Sequence, residues 1–274
     1  MNIITVKNLK KEYEYYKKEA GLWGTIKALF YRKRLYKTAV DDISFTIKQG
    51  EMVAFLGPNG AGKTTTLKML SGILHNSAGS IDVMGFTPYD RKKEFQKQFS
   101  IVMGSRNQLV PRISIMDNFL LFKSLYRLSS EEFKTNLDEL IKVLNIGDLL
   151  DMQAAKLSLG QRMKCEIVAA LIHKPKVLFL DEPSIGLDVV AQKNIRDFIK
   201  KYNTESKTTI ILTSHYMHDI EELCDRVIII NFGKIIYDGN LKDLIKNHQN
   251  GNDEIDADSV MRLVFEKQND TIQK

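Results

Sequence analysis

The stretch Gly57-Pro58-Asn59-Gly60-Ala61-Gly62-Lys63-Thr64 decides the fold. It fits the spacing GxxxxGK followed by Thr or Ser. Upstream, Met52-Val53-Ala54-Phe55-Leu56 is an unbroken apolar run suited to a parallel strand buried on both faces, and downstream Lys63 to Ile73 reads as helix. In a strand, loop and helix of this order the glycines let successive N–H groups turn inward around a polyphosphate, and the positive end of the helix dipole faces the same charge. Gly57, Pro58, Asn59, Gly60, Ala61 and Gly62 then form the cradle, Lys63 reaches the β and γ phosphates, and the Thr64 hydroxyl is a candidate magnesium ligand, with Thr65 beside it. A turn that merely reverses the chain has no need of Lys-Thr at its helix end.

The surrounding chain is consistent with one large α/β domain. With 274 residues and 43% hydrophobic content it is long enough to bury a sizeable core and is not a disordered polymer. The longest uninterrupted apolar run, Ile167 to Ile172, is six residues, against the roughly 18 needed to cross a bilayer as a helix. Met1 to Lys7 lacks the charged, apolar and small-residue regions of a secretory signal, so a cytoplasmic location is expected. Cys165 and Cys224 fall in segments that read as helix, without partners at metal-binding spacing, and are expected to be reduced core residues. A net charge of +6 allows an anionic partner without choosing among nucleotide, membrane surface and nucleic acid.

Taken in order, Ile3 to Leu9 and Asp41 to Ile47 read as strands, with Tyr13 after the first. Tyr13 suits either stacking on a nucleobase or an ordinary place at a sheet edge, and Tyr15 and Tyr16 compete for the first role. Between them, residues from about 14 to 38 form an insertion in which Leu22, Trp23, Ile26, Leu29 and Phe30 recur at helical spacing, among seven basic residues and two acidic ones from Glu14 to Lys37. Attraction to an anionic leaflet of about 5 kcal/mol, a dissociation constant on the order of millimolar, would not anchor the protein alone. Such a helix either lies over the sheet edge or meets a membrane partner or lipid headgroups. Ser80 to Val83 and Phe99 to Met103 read as further strands. A helical insertion follows at about 106 to 156, its apolar faces carried by Phe119, Leu120, Phe122, Phe133, Leu137, Leu140, Ile141 and Leu144. The parallel-strand pattern resumes at Val177–Leu180, Thr209–Leu212 and Val227–Ile230. In the polar tail from 249 to 274, Val260 to Phe265 resembles a strand start.

Val177–Leu180 ends in Asp181-Glu182, two carboxylates at the carboxyl edge of a buried strand, where ligands sit in open α/β sheets. Asp181 is suited to hold magnesium, directly or through water, and Glu182 to polarise an attacking water as general base.

Upstream of this strand, Leu157-Ser158-Leu159-Gly160-Gln161 opens a helix running to about His173. Here the chain resembles the ATP-binding cassette family, whose signature LSGGQ it carries with Leu159 in place of the first glycine. The family's order is kept across roughly residues 1 to 248: the glycine loop, the signature, Asp181-Glu182, a D-loop-like Ser184-Ile185-Gly186-Leu187-Asp188, and Thr213-Ser214-His215 resembling the switch histidine. The resemblance implies a P-loop NTPase fold, with a RecA-like core of mostly parallel sheet, an antiparallel β edge and an inserted helical subdomain. It also implies ATP and magnesium, and a head-to-tail pair of chains in which Ser158, Gly160, Gln161 and the first N–H groups of their helix meet the γ phosphate held by the other copy. His215 would hydrogen-bond that phosphate. Asp188 would link the two sites, or simply cap the helix that follows it. The family's Q-loop glutamine, a contact to nucleotide and metal, falls to Gln108. Leu159 raises the expectation of a reshaped loop, because glycine tolerates positive φ and leucine does not.

Within the family, the single cassette, Gly21-Leu22-Trp23-Gly24 in the basic insertion, and Thr213-Ser214-His215-Tyr216-Met217 look like the ATPase subunits of bacterial exporters, including drug and viologen exporters. That implies a separate integral membrane permease, docked on Asn107 to Asn118 and the helical insertion, and a place on the inner face of the cell membrane. The alternative is a cassette ATPase acting on ribosomes, nucleic acid or a regulatory target. Translation-associated members typically carry two cassettes and repair members a long coiled coil; neither is seen, and no nucleic-acid partner is expected.

Overall fold

In a computed structural model, which describes residues 1–16, 34–104, 106–214, 216–247 and 256–272, the apolar runs become the interior of a layered α/β structure. The strands are β1 (Asn2–Tyr16), β2 (Arg34–Lys48), β3 (Met52–Leu56), β4 (Ala78–Val83), β5 (Phe99–Met103), β6 (Val177–Asp181), β7 (Thr209–Thr213), β8 (Arg226–Asn231) and β9 (Lys234–Asn240). The helices are α1 (Lys63–Leu70), α2 (Lys93–Gln96), α3 (Ile115–Tyr126), α4 (Ser130–Leu144), α5 (Leu159–Leu171), α6 (Val189–Ser206), α7 (Met217–Leu223), α8 (Leu241–Lys246) and α9 (Ala257–Ile272). A six-stranded sheet has the order β5-β6-β7-β3-β8-β9, parallel except for β9, and a three-stranded antiparallel sheet has the order β2-β1-β4. This is the mostly parallel sheet, antiparallel edge and helical insertion expected of a P-loop NTPase.

The unbroken apolar runs are explained by what covers the large sheet. Alternate residues of each parallel strand point to opposite faces, and both faces are covered. Ala54, Leu56, Leu178, Leu180, Ile210, Leu212, Val227 and Ile229 enter a core shared with α3, α4, α5 and α6. Val53, Phe55, Val177, Phe179, Ile211, Ile228 and Ile230 enter a second core shared with α1 and the antiparallel sheet. A strand between two cores has no position for a polar side chain until it reaches the sheet edge. The polar residues Asp181 and Thr213 stand at that edge.

Three local readings differ from the structure. At the two ends of the stretch read as an amphipathic helix, Glu14–Tyr16 and Arg34–Thr38 are strand, paired antiparallel with Tyr13 opposite Lys37 and Glu14 opposite Tyr36. Cross-strand hydrogen bonding, which has no short-range signature, prevails there; residues 17–33, with the apolar face counted from Leu22 to Phe30, lie outside the described residues. In the tail, Val260 to Phe265 is not a strand start but part of α9. Ala257, Val260, Met261 and Val264 recur at helical spacing and pack on the core. Cys224 follows α7 in extended backbone rather than lying within a helix. Both cysteines are buried and unbridged, and burial pushes the Cys165 thiol up to about 12, which leaves it a poor nucleophile. No helix among the described residues is long and apolar enough to cross a membrane.

Phe179 is fully buried in the second core, its ring 6.0 Å from that of Phe99. Phe179→Ala is expected to cost about 3–5 kcal/mol, read as a lowered midpoint in urea unfolding with an unchanged slope.

Candidate active site

Sheet order brings the chemistry together. Because β7 lies between β6 and β3, the register places Thr213 opposite both Asp181 and Phe55, so the ends of three strands form one row beside the glycine loop. In that loop Gly57, Gly60 and Gly62 all adopt positive φ. A Cβ on Gly57 would lie 2.0 Å from the Ile230 carbonyl, and one on Gly62 would lie 2.6 Å from that of Ala39. Glycine is therefore required at both positions by contact as well as by conformation. Gly62 precedes α1 without a side-chain cap, which leaves the first N–H groups of the helix to an anionic ligand. The Lys63 ammonium is buried and donates to the Gly57 carbonyl at 2.5 Å and the Pro58 carbonyl at 3.1 Å. Burial pulls its pKa below the ordinary lysine value, opposed by the Glu182 and Asp181 carboxylates.

Asp181 is the centre of the row. One carboxylate oxygen accepts the Thr64 hydroxyl at 3.0 Å and the Thr213 hydroxyl at 2.8 Å. The next residue, Glu182, has φ +56, a left-handed conformation costly for a residue with a Cβ. It is held there on two sides. Its N–H donates to the carbonyl and the hydroxyl oxygen of Thr213, each at 3.1 Å. Gly104 N–H donates to the Asp181 carbonyl, and a Cβ on Gly104 would lie 2.3 Å from the Glu182 carbonyl. The motifs alone do not assign Gly104 or the contacts of Thr213. The signal for Thr213 is its place at the end of a strand whose register matches that of β6; for Gly104 only the backbone contact reveals it.

A family model described as ABC transporter matches residues 40–185. Over 220 residues the chain is 37% identical to the ABC transporter ATP-binding protein NatA of Bacillus subtilis (strain 168), covering 80% of this chain and 89% of the relative. The chain belongs to the ABC transporter family. It is an ATP-binding, ATP-hydrolysing subunit of a transporter. A second relative, 35% identical over 77% of this chain and 69% of its own length, is the Nod factor export ATP-binding protein I of Burkholderia thailandensis (strain ATCC 700388 / DSM 13276 / CCUG 48851 / CIP 106301 / E264). Among solved structures, the dimeric post-hydrolysis state of the ATP-binding cassette MJ0796 bound to ADP and Pi superimposes with a TM-score of 0.71 at 22% identity, covering 86% of this chain and 98% of that one, a likeness of fold.

In this ABC subunit the signature serine is the N-cap of α5. Its hydroxyl oxygen accepts the Gln161 N–H at 3.2 Å while the Gln161 side chain accepts the Ser158 N–H at 2.9 Å. This capping box begins the helix at Leu159. Leu159 is not among the residues with positive φ, so the reshaping expected of leucine does not arise. Its side chain lies against the D-loop instead, where a Cβ on Gly186 would come within 3.0 Å of it. Asp188 caps α6 by accepting the Ala191 N–H at 2.8 Å. Tyr13 stands exposed on β1 with the Lys11 ammonium 5.3 Å from its ring centre. His215 lies outside the described residues.

Gln108 is expected from the family resemblance to contact nucleotide and metal; in the structure its amide donates to the Ile101 carbonyl. There it lines a groove of about 570 Å³ with Phe99, Phe122, Leu125 and Tyr126. The β5 backbone offers it an acceptor close by. Behind it, the carboxyl of Glu166 is buried in α5, 3.7 Å from the Arg162 guanidinium, and burial pushes it up to about 7. The folded protein thus holds this proton more tightly than an unfolded carboxyl of 4.5, so stability is lost as pH rises from about 4.5 through about 7. Glu166→Gln removes that slope. The melting temperature of the variant relative to wild type is expected to rise between about pH 5 and pH 7 and then to level off, as measured by thermal unfolding.

Proposed function

We propose that this chain hydrolyses ATP as a head-to-tail pair and thereby powers export through a separate membrane permease. The observation that carries the reading is the Asp181 carboxylate shared between Thr64 and Thr213, with Glu182 held beside it. Thr64 and Asp181 present hard oxygen donors 3.0 Å apart, which suits magnesium, an ion that takes few protein ligands and completes its shell with phosphate oxygens and water. Among the described residues no group of three or more His, Cys, Asp or Glu could hold a metal by itself, so the phosphates would be part of the site. Bound there, magnesium would neutralise charge developing on the phosphates.

The chain's own residues have distinct work. The N–H groups of the loop and Lys63 bind the β and γ phosphates, and Tyr13 stacks on the base. Glu182, fixed by its backbone, takes a proton from the attacking water, and His215 orients the γ phosphate. The Ser158 end of α5 directs helix N–H groups outward to the γ phosphate on the second copy. That pairing is what joins two subunits around two nucleotides, with Asp188 beside the shared face. The groove beside β5, with Leu125 exposed at its rim and Asn107 to Asn118 adjoining it, suits a cytoplasmic helix of the permease. The name of the Nod factor export relative supports the outward direction. Residues 1–248 would then be one nucleotide-binding domain, carrying inserts at about 14–38 and 106–156 and followed by a tail. The protein would lie peripherally on the inner face of the membrane.

Glu182→Gln is expected to lower the turnover number at least ~100-fold while nucleotide affinity stays near wild type, as read by phosphate release and by binding of a fluorescent ATP analogue. Affinity purification of the tagged chain from detergent-solubilised membranes is expected to bring down a multi-spanning protein in stoichiometric amount. Recovery of ribosomes or nucleic acid instead would overturn the exporter reading and leave the ATPase.

A further inference from the structure

Asp219, on α7, is 3% exposed and belongs to none of the motifs, yet three buried side chains converge on its carboxylate. The Ser184 hydroxyl and, at 3.2 Å, the Ser214 hydroxyl donate to one oxygen, and the Arg196 guanidinium donates to the other at 2.6 Å. Arg196 is itself fixed by Glu222 at 2.7 Å. Ser184 follows Glu182 by two residues in the D-loop, and Ser214 immediately precedes His215 in the chain. Ser214 also accepts the Tyr216 N–H at 3.0 Å, and the Asp219 N–H donates to the Tyr216 carbonyl at 3.1 Å, so the start of α7 and the end of β7 are wound around the same group.

We propose that Asp219 is a positioning residue for ATP hydrolysis: one buried carboxylate anchors the loop after the general base and the loop leaving β7, and so fixes the two relative to each other. The inference rests on the assignment of Glu182 as general base. Its physical basis is that a buried carboxylate needs its donors. Displacing either loop strands a hydroxyl or leaves part of the charge unpaired, so the two loops keep one relative position. Geometry at the reacting centre is sensitive to shifts of about 1 Å, which can cost on the order of 100-fold in rate. Asp219 acts through the two loops that it holds.

The test is steady-state ATPase kinetics on Asp219→Asn, Ser184→Ala and the double variant, each with its fold checked by circular dichroism. The amide keeps the shape of the carboxylate but presents an NH2 group to donors. Asp219→Asn is expected to lower kcat at least about tenfold with KM for ATP within about twofold. The double variant is expected to be no slower than Asp219→Asn alone, because both changes remove the same bond. Should Asp219→Asn fail to fold, Ser184→Ala, which takes away a single hydroxyl, is expected to show the same fall in kcat at constant KM. An unchanged kcat in folded variants, multiplicative losses in the double variant, or a rise in KM alone overturns the proposal. Glu182→Gln separates the two readings: if it retains turnover, the assignment of the base fails, whereas an inactive Glu182→Gln beside fully active Asp219→Asn and Ser184→Ala removes only the inference about Asp219.

Discussion

The acceptance of two threonine hydroxyls by Asp181 is the interaction on which the site depends. Thr64 comes from the helix after the glycine loop, Asp181 from the end of β6 and Thr213 from the end of β7. No two belong to the same local segment, and the bonds are possible only because β7 lies between β6 and β3. Parallel strands in register end together, so their last residues share one edge. That edge is where a chain buried on both faces first meets a polar surface.

Around this row the backbone is restrained more closely than the side chains. Glu182 occupies a conformation that residues with a Cβ avoid, and it stays there because Thr213 holds its N–H while Gly104 packs under its carbonyl. Strain of this kind persists only where the surroundings over-determine it. Gly57 and Gly62 serve the same end in the opposite way, giving room where the Ile230 and Ala39 carbonyls press on the loop. The result fixes the backbone of Glu182 and of the glycine loop along one edge of the sheet.

The signature helix, the D-loop and the groove beside β5 are tied to this row by packing. Leu159 stands on Gly186 at the start of the signature helix, and the first residue of the D-loop, Ser184, donates its hydroxyl to Asp219 on α7. Gln108 and Glu166 join the segment after β5 to α5 from the other side, next to the groove at Phe122 and Leu125. The signature helix thus packs on the D-loop at one end and meets the segment after β5 through Glu166.

The sequence by itself determined the parts whose signals are local. The loop from Gly57 to Thr64, the apolar runs of β3, β6, β7 and β8, the boundaries of β5, the serine at the start of α5 and the adjacent carboxylates Asp181 and Glu182 were all legible, because each depends on neighbours within a few residues. Tertiary structure decided the rest. It made strand of Glu14–Tyr16 and Arg34–Thr38 through cross-strand pairing, and helix of Val260 to Phe265 through packing on a distant core. Leu159 fits a helical position without strain, Gln108 turns back to Ile101, and Thr213 and Asp219 gain their partners from elsewhere in the chain. The physical reason is the same in each case: local conformational preference is written in adjacent residues, whereas hydrogen-bond partners and burial are set by which segments the fold brings together.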